Sequence, residues 1–476
     1  MTSTYSFCIH GHFYQPPRED PQTGRIPMEA GAAPYNNWNE KIYHNCYRPN
    51  ADLGNFSRIS FNIGPTLCQW LDEYDPSLMQ KIVEQERSCY LRHGVGNGMA
   101  QAYNHTILPL MPRRDKVTQV RWGIDDFVKR FGHRPEGMWL PEAAADHETL
   151  EVLADNGLYF TILAPWQALT SDLDVTQPYR VDFADGKHLA IFFYEQDLST
   201  RISFDPGSTA NADLFASEYI APKFSGLNGR PRFLMAASDG ELYGHHQPFR
   251  DKFLNFLLST SLEKNDLEWT YPGLWLRKNP PVKSIEILDD TSWSCHHGVL
   301  RWSGVCSCTP NSEWKAFFRA ALVNIAEVLD NEFLKALEQE VEDVWELRHG
   351  YSAVLTGQST PEEYIRHKVG RNIAEFQMEK MTLLLQAQYE RQRMFTSCGW
   401  FFEDFDRIEP RNNVAYAAQA VWLTELATGK CLEEEAIQWL QMVKSNRSGL
   451  TADVVFRHYL QRARNAQKIN QISGVY

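Results

Sequence analysis

GMWLPEAAAD, residues 137–146, decides how the chain is read. The apolar run Met138 to Leu140 meets Pro141 and then a carboxylate, Glu142. Parallel barrels display reactive groups in this way, because their sites lie at the C-terminal ends of short buried strands. The segment therefore predicts a strand over 137–142 with Glu142 at its functional end.

Outward from it, short apolar runs alternate with longer polar or helix-like stretches up to about residue 300. They predict strands at Tyr5 to His10, Ile59 to Ile63, near Val95 to Ala100, Leu158 to Leu163, Leu189 to Phe193 and Phe233 to Asp239. Several end in polar groups: His10 and His12, Asn62, Glu142 and Asp239. Alternating strands and helices with such ends describe a (β/α) barrel, with a doubly wound open sheet as the alternative of the same spacing. From Asn311 the period changes. Trp314, Phe317, Phe318, Ala321, Leu322, Ile325, Val328 and Leu329 mark one helical face. Thr360, Pro361 and Glu363 then read as a capping box opening a helix towards Met394. Amphipathic segments follow near Asn413 to Leu426, Leu432 to Val443 and Thr451 to Ala463.

With 476 residues, 43% of them hydrophobic, the chain can bury a large core in more than one domain. A formal charge of -13 excludes an electrostatic nucleic-acid binder, which needs Lys and Arg against phosphates, and favours uncharged, sugar-like partners. No apolar stretch reaches the length of a membrane span, and the N-terminus lacks the basic and apolar regions of a secretory signal. Nine cysteines in an acidic chain read as reduced thiols. A cytoplasmic protein is expected.

Glu142 and Asp239, roughly a hundred residues apart in a barrel pattern, are the candidates for chemistry. Two carboxylates at neighbouring strand ends can divide glycoside hydrolysis, one attacking the anomeric carbon and one protonating the leaving oxygen. His10, His12, His105 and His245 fit either a metal ligand set or a rim of hydrogen-bonding imidazoles. Trp139 and Tyr243 stand beside candidate polar groups as sugar platforms, with core packing as the alternative. Cys295, His296, His297, Cys306 and Cys308 contain metal-binding residue types, but their spacing matches no standard zinc pattern, so the thiols are expected to pack as small apolar groups.

Five segments in order resemble the motifs of glycoside hydrolase family 57: IHGHFYQP at 9–16, GNGMAQAYNHTILPL at 96–110, GMWLPEAA at 137–144, SDGELYGHH at 238–246 and, more loosely, FTSCGWFFED at 395–404. TSWSCHHGVLRW and MFTSCGWFF are similar to segments of a branch with a largely uncharacterised C-terminal region. The resemblance implies a (β/α)7-type barrel over residues 1–310, an all-α helical domain over 311–476 packed on it, and a retaining mechanism on an α-linked glucan or related oligosaccharide, without cofactor or catalytic metal. Glu142 would be the nucleophile and Asp239 the general acid/base, about 5 to 5.5 Å apart. His10, His12, His105 and His245 would line the first subsite with Trp139 and Tyr243 nearby, and Trp400 would close it. The fifth motif departs at Gly399, where the family's branching enzymes usually carry Asp, and so leaves the acceptor, water or sugar, unspecified. Two other readings are a metal-dependent deacetylase or amidohydrolase with His10, His12, Asp239 and His245 as ligands and Glu142 as base, and a carbohydrate-binding protein without catalysis.

Overall fold

The computed structural model describes residues 5–227, 230–370 and 372–473. Its strands, in chain order, are β1 (Tyr5–Phe13), β2 (Ser60–Ile63), β3 (Gly98–Gln101), β4 (Met138–Trp139), β5 (Phe160–Leu163), β6 (Tyr179–Asp182), β7 (His188–Phe193), β8 (Arg232–Asp239) and β9 (Glu268–Trp269). β1 lies between β2 and β8, parallel to both. Parallel pairing continues from β2 to β3 and β4, and a parallel bridge between Gly137 and Phe160 leads on to β5. β5 in turn pairs parallel with β7. These seven strands stand where the apolar runs predict them and form a (β/α)7-type barrel. β6, antiparallel to β7, and β9, beside the start of β1, are additions that the sequence reading lacks.

The barrel is filled by side chains. Cys8, Met99, Trp139, Phe160, Ile162, Ala190, Phe192, Phe233 and Met235 belong to one buried cluster contributed by six of the strands. Such a packed interior is a core, and chemistry is left to the strand ends.

Two strand boundaries differ from expectation. β1 runs on to Phe13, so His10 and His12 lie within the strand and, two residues apart, on the same face. β4 is only two residues long and stops before Glu142. Pro141 has no N–H to give a ladder, and the chain turns into a 3-10 segment, Pro141–Ala143, that carries Glu142.

The described chain divides into two compact units. The first takes the chain up to Gln15, Met28–Tyr103 and Asp126–Ser294; the second takes Pro16–Pro27, Asn104–Asp125 and the chain from Cys295 onward. The periodicity change near residue 310 marks only where the long helices begin.

In the second unit these are Trp314–Leu337, Pro361–Val369, Glu375–Arg393, Ile408–Thr428, Glu433–Leu440 and Ala452–Ser473. The predicted capping box is present: Glu363 N–H donates to Thr360 Oγ1 at 3.2 Å and Thr360 N–H to Glu363 Oε2 at 3.0 Å. Its helix does not reach Met394. It ends at Val369, where Gly370 takes a left-handed φ of 66° that an L side chain disfavours, and a separate helix starts at Glu375. Phe317, predicted on the buried face, is 48% exposed. Among the described residues no helix is long and apolar enough to cross a membrane.

Four buried charges tie this unit together. Arg348 meets Asp115 at 2.7 Å, and Arg391 meets Asp115 at 2.6 Å and Asp330 at 2.8 Å. Two guanidiniums and two carboxylates balance, and removing one carboxylate leaves a guanidinium buried without its counter-charge. Asp115→Ala is expected to destabilise the second unit by about 3 to 5 kcal/mol, measured as a lowered urea midpoint. A midpoint equal to wild type would show that the network contributes nothing.

Candidate active site

Register places the first group of residues. In the parallel ladders His12 stands opposite Asn62 of β2 on one side and Asp239 of β8 on the other. His10 Nε2–H donates to Asn62 Oδ1 at 3.2 Å, while its Nδ1 lies 2.9 Å from Ser60 Oγ. Asn62 Nδ2 donates to Gln101 Oε1 at 2.7 Å and approaches His12 Nδ1 at 2.9 Å. Burial lowers the pKa of His10 to about 3, with His12 adding repulsion, and burial lowers that of His12 to about 4. Both rings are therefore neutral near pH 7. The indole of Trp139 stacks on both, with centroids at 4.8 and 5.1 Å.

Glu142 is held from the opposite strand of a short antiparallel strap. Ala145 N–H donates to Thr291 O at 3.0 Å and Trp293 N–H to Glu142 O at 2.9 Å. The same strap supplies two donors to the carboxylate: Trp293 Nε1–H at 3.1 Å and Ser294 Oγ–H at 2.6 Å, both to Oε2. Trp293 also stands edge-on to Trp139, with centroids 4.9 Å apart, so one indole orients the acid and closes the wall beside the histidines. The backbone here is bent hard. Glu142 and Ala143 have φ values of 58° and 47°, left-handed conformations that cost non-glycine residues of order 1 to 3 kcal/mol each and cluster at functional sites.

Asp239 ends β8, and its side chain caps nothing in the 3-10 turn that follows. It is open to solvent, yet enough protein surrounds its carboxyl to matter. Burial first, and then the negative charge of Glu142, push its pKa up to about 7. The charge of Glu142 thus acts on the Asp239 carboxyl. Gly240 makes the turn possible: a Cβ there would come within 2.4 Å of the Phe13 ring.

A third acid, Glu241, was not singled out from the sequence, although it lies inside SDGELYGHH. It is buried, accepts from Tyr47 Oη at 2.8 Å and from Tyr14 N–H at 3.2 Å, and has its pKa raised to about 8 by burial and by Asp239. Ser294 was also overlooked; its only sequence signal is its place beside Trp293. Asn62 was noted only as a strand end.

The other predicted residues sort as follows. Tyr243 is buried, its hydroxyl 3.1 Å from Ser238 Oγ, so like the fully buried Trp139 it supports the site from behind. His245 is half-buried and edge-on to Trp38, and burial, then His246, lower its pKa to about 4. His105 and Trp400 belong to the second unit. There His105 Nδ1 lies 2.6 Å from Ser397 Oγ, and Thr106 forms an antiparallel bridge with Thr396, so the second and fifth motif segments are joined. Trp400 is fully buried under the Arg319 guanidinium, 4.3 Å from the ring centroid. Gly399 has a steric reason: a Cβ would lie 2.1 Å from Asn413 Nδ2, which donates to Thr396 O at 3.0 Å.

Comparison with known proteins follows this geometry. Residues 9–287 match the model of glycosyl hydrolase family 57, and residues 311–471 match a domain of unknown function, DUF3536. The chain belongs to glycosyl hydrolase family 57. Among curated relatives, α-amylase 1 of Dictyoglomus thermophilum is 26% identical over 43% of this chain and 29% of its own. The 4-alpha-glucanotransferase of Thermococcus litoralis is 22% identical over 35% of this chain and 25% of its own. The family 57 chain thus spans between a quarter and a third of the length of the curated relatives it matches. The crystal structure of an exo-type maltose-forming amylase from Pyrococcus sp. ST04 has the same fold, with a TM-score of 0.77 at 16% identity, covering 99% of this chain and 94% of that one.

Glu142→Gln removes the charge that helps hold the proton on Asp239. The Asp239 pKa is expected to fall from about 7 and to remain above the ordinary aspartate range, because burial, the larger cause, persists. Carboxyl ¹³C titration reads this directly, and an unchanged value would mean that Glu142 exerts no field on Asp239.

Proposed function

We propose that this chain is a retaining glycoside hydrolase or transglycosylase acting on an α-linked glucan or related oligosaccharide. The observation that carries the reading is the pair itself: a solvent-accessible Asp239 that keeps its proton to about pH 7 through burial and the charge of Glu142. A carboxylate beside a carboxylic acid is the equipment of glycoside cleavage. Relatives named as amylases and a 4-alpha-glucanotransferase support the substrate class.

In this reading Glu142 attacks the anomeric carbon while Asp239 gives its proton to the departing glycosidic oxygen, leaving a β-glycosyl ester on Glu142. Esterification removes the negative charge of Glu142, so Asp239 becomes the stronger acid and stays ionised. It then takes a proton from water or from a sugar hydroxyl as that oxygen attacks, which gives hydrolysis or transfer with retention. Trp293 and Ser294 position the nucleophile through Oε2. His12, as a neutral imidazole, offers a hydrogen bond to a sugar hydroxyl without compensating the charge of the acids, and His10, both of whose nitrogens are held by Ser60 and Asn62, supports it from within the strand instead of lining the subsite. His245 lines the rim, and Trp139 and Tyr243 hold the walls. The deacetylase alternative loses support because both nitrogens of His10 face protein partners, Ser60 and Asn62.

Asp239→Ala is expected to lower turnover of maltooligosaccharides by about 10²- to 10⁴-fold, and Glu142→Ala at least as much, both with wild-type circular dichroism. For the wild type, kcat/KM should decline as pH rises through about 7, where Asp239 loses its proton. Anomeric ¹H NMR should show the α product first. Wild-type-like turnover by either variant, or initial release of the β anomer, refutes the mechanism.

A further inference from the structure

We propose that Cys295, His297, Cys306 and Cys308 form a structural zinc site in the second unit. The sequence spacing favours dispersed thiols packed as apolar groups, and the structure shows the opposite. The eight residues between His297 and Cys306 fold into a compact turn, with Gly298 at a φ of 71° and a 3-10 segment over Leu300–Trp302, and the chain returns on itself. Four donor atoms, three Sγ and one imidazole nitrogen, then lie within 4.8 Å of one another.

Four of their six separations are close to the edges of a zinc tetrahedron, and the other two lie within 4.8 Å. Cys295 Sγ lies 3.5 Å from Cys306 Sγ and 3.9 Å from Cys308 Sγ, and His297 Nδ1 lies 3.4 Å from both Cys306 Sγ and Cys308 Sγ. Zinc bonds of about 2.3 Å to sulfur and about 2.0 to 2.1 Å to nitrogen give edges of about 3.8 Å between sulfurs and about 3.6 Å from sulfur to nitrogen. Along these four edges an ion at the centre asks for adjustments of a few tenths of an ångström. His296, counted with the others in the sequence, is outside the set.

The surroundings suit thiolates. Backbone N–H groups of Cys308 and His296 donate to Cys306 Sγ and Cys308 Sγ. His297 turns its second nitrogen, Nε2, towards Ser307 Oγ at 3.4 Å, in the manner of a ligating imidazole fixed through its other nitrogen. Ser312 Oγ bonds both Cys306 N–H, at 3.0 Å, and Cys306 O, at 3.2 Å, and so holds the loop. Charge supplies an independent argument. The Lys315 ammonium is fully buried, has no hydrogen-bond partner among the described residues, and acts electrostatically on Cys306 and Cys295. Three thiolates, one neutral imidazole and Zn²⁺ sum to one negative charge, which Lys315 balances; with three neutral thiols the buried ammonium would face Arg301 with only Glu403 on the opposing side.

Four protein ligands close the coordination shell, and soft sulfur donors select zinc over oxygen-seeking cations. The site has no open position for substrate or water. Its task is to fix the 295–308 loop, and it stands apart from the proposed double displacement.

Protein produced in zinc-supplemented medium and dialysed without chelator should carry about one zinc per chain by plasma emission spectrometry. Cys306→Ala with Cys308→Ala should reduce this at least tenfold. Exchange with Co²⁺ should give the intense visible bands of a tetrahedral thiolate complex, and these should be absent from the double variant. If that variant does not fold, His297→Ala serves, with a changed cobalt spectrum expected. The proposal is overturned if wild-type protein offered Zn²⁺ or Co²⁺ binds neither, if the metal survives loss of both cysteines, or if mass spectrometry of freshly purified protein finds these thiols joined as a disulfide.

Discussion

One register holds the proposed chemistry in place: His12 of β1 opposite Asn62 on one side and Asp239 on the other. Because alternate residues of a strand face opposite sides, a slip of one position would turn His10 and His12 out of the interior and bring Gly11 and Phe13 in. The slip is opposed by the packing beneath, where Cys8 of β1 and Phe233, Met235 and Ala237 of β8 belong to the same core cluster. The aim of the polar groups is therefore set by the apolar side chains packed beneath them. Asn62 reinforces the arrangement by engaging both histidines and Gln101, binding three adjacent strands through one amide.

The electrostatics of this end of the barrel follow from the neutral groups around its acids. His10 and His12 are buried deeply enough to remain neutral, so neither supplies a cation to the acids. An indole and a hydroxyl donate to Glu142, which orients a carboxylate without cancelling its charge. Burial and then the field of Glu142 hold the proton on Asp239, and burial and Asp239 raise the pKa of Glu241 further, against the donors from Tyr47 and Tyr14 that lower it. An arginine in place of either histidine would pull these pKa values down and remove the acid.

The strands were legible because parallel strands buried on both faces are written as continuous apolar runs, and Asp239 was legible because it follows such a run. The turn at Glu142 was not, since left-handed φ at Glu and Ala goes against their preferences and is imposed by the strap from Thr291 to Ser294, more than a hundred residues downstream in sequence. Glu241 was hidden by its neighbours, as nothing in its residue type tells a buried acid from an exposed one. The same holds for the long helix expected after Thr360, which apolar spacing continues through but the backbone of Gly370 interrupts. Spacing was also a poor guide to the Cys295 to Cys308 segment, because proximity there is created by a compact turn.

The second unit is assembled from three separated stretches of chain, and Asp115 reaches Arg348 and Arg391 from the middle one. During synthesis that stretch leaves the ribosome long before the helices it belongs with. At about 5 to 20 residues per second, the nearly three hundred residues from Asp115 to the end of Glu375–Arg393 take at least about 14 s to make. Within that interval β4 to β9 are made and can join β1 to β3, while residues 104–125 wait with a carboxylate and an apolar face unpaired. Vectorial folding of this chain is therefore out of step with its order of synthesis, and the N-terminal half carries a piece of the C-terminal half in trust.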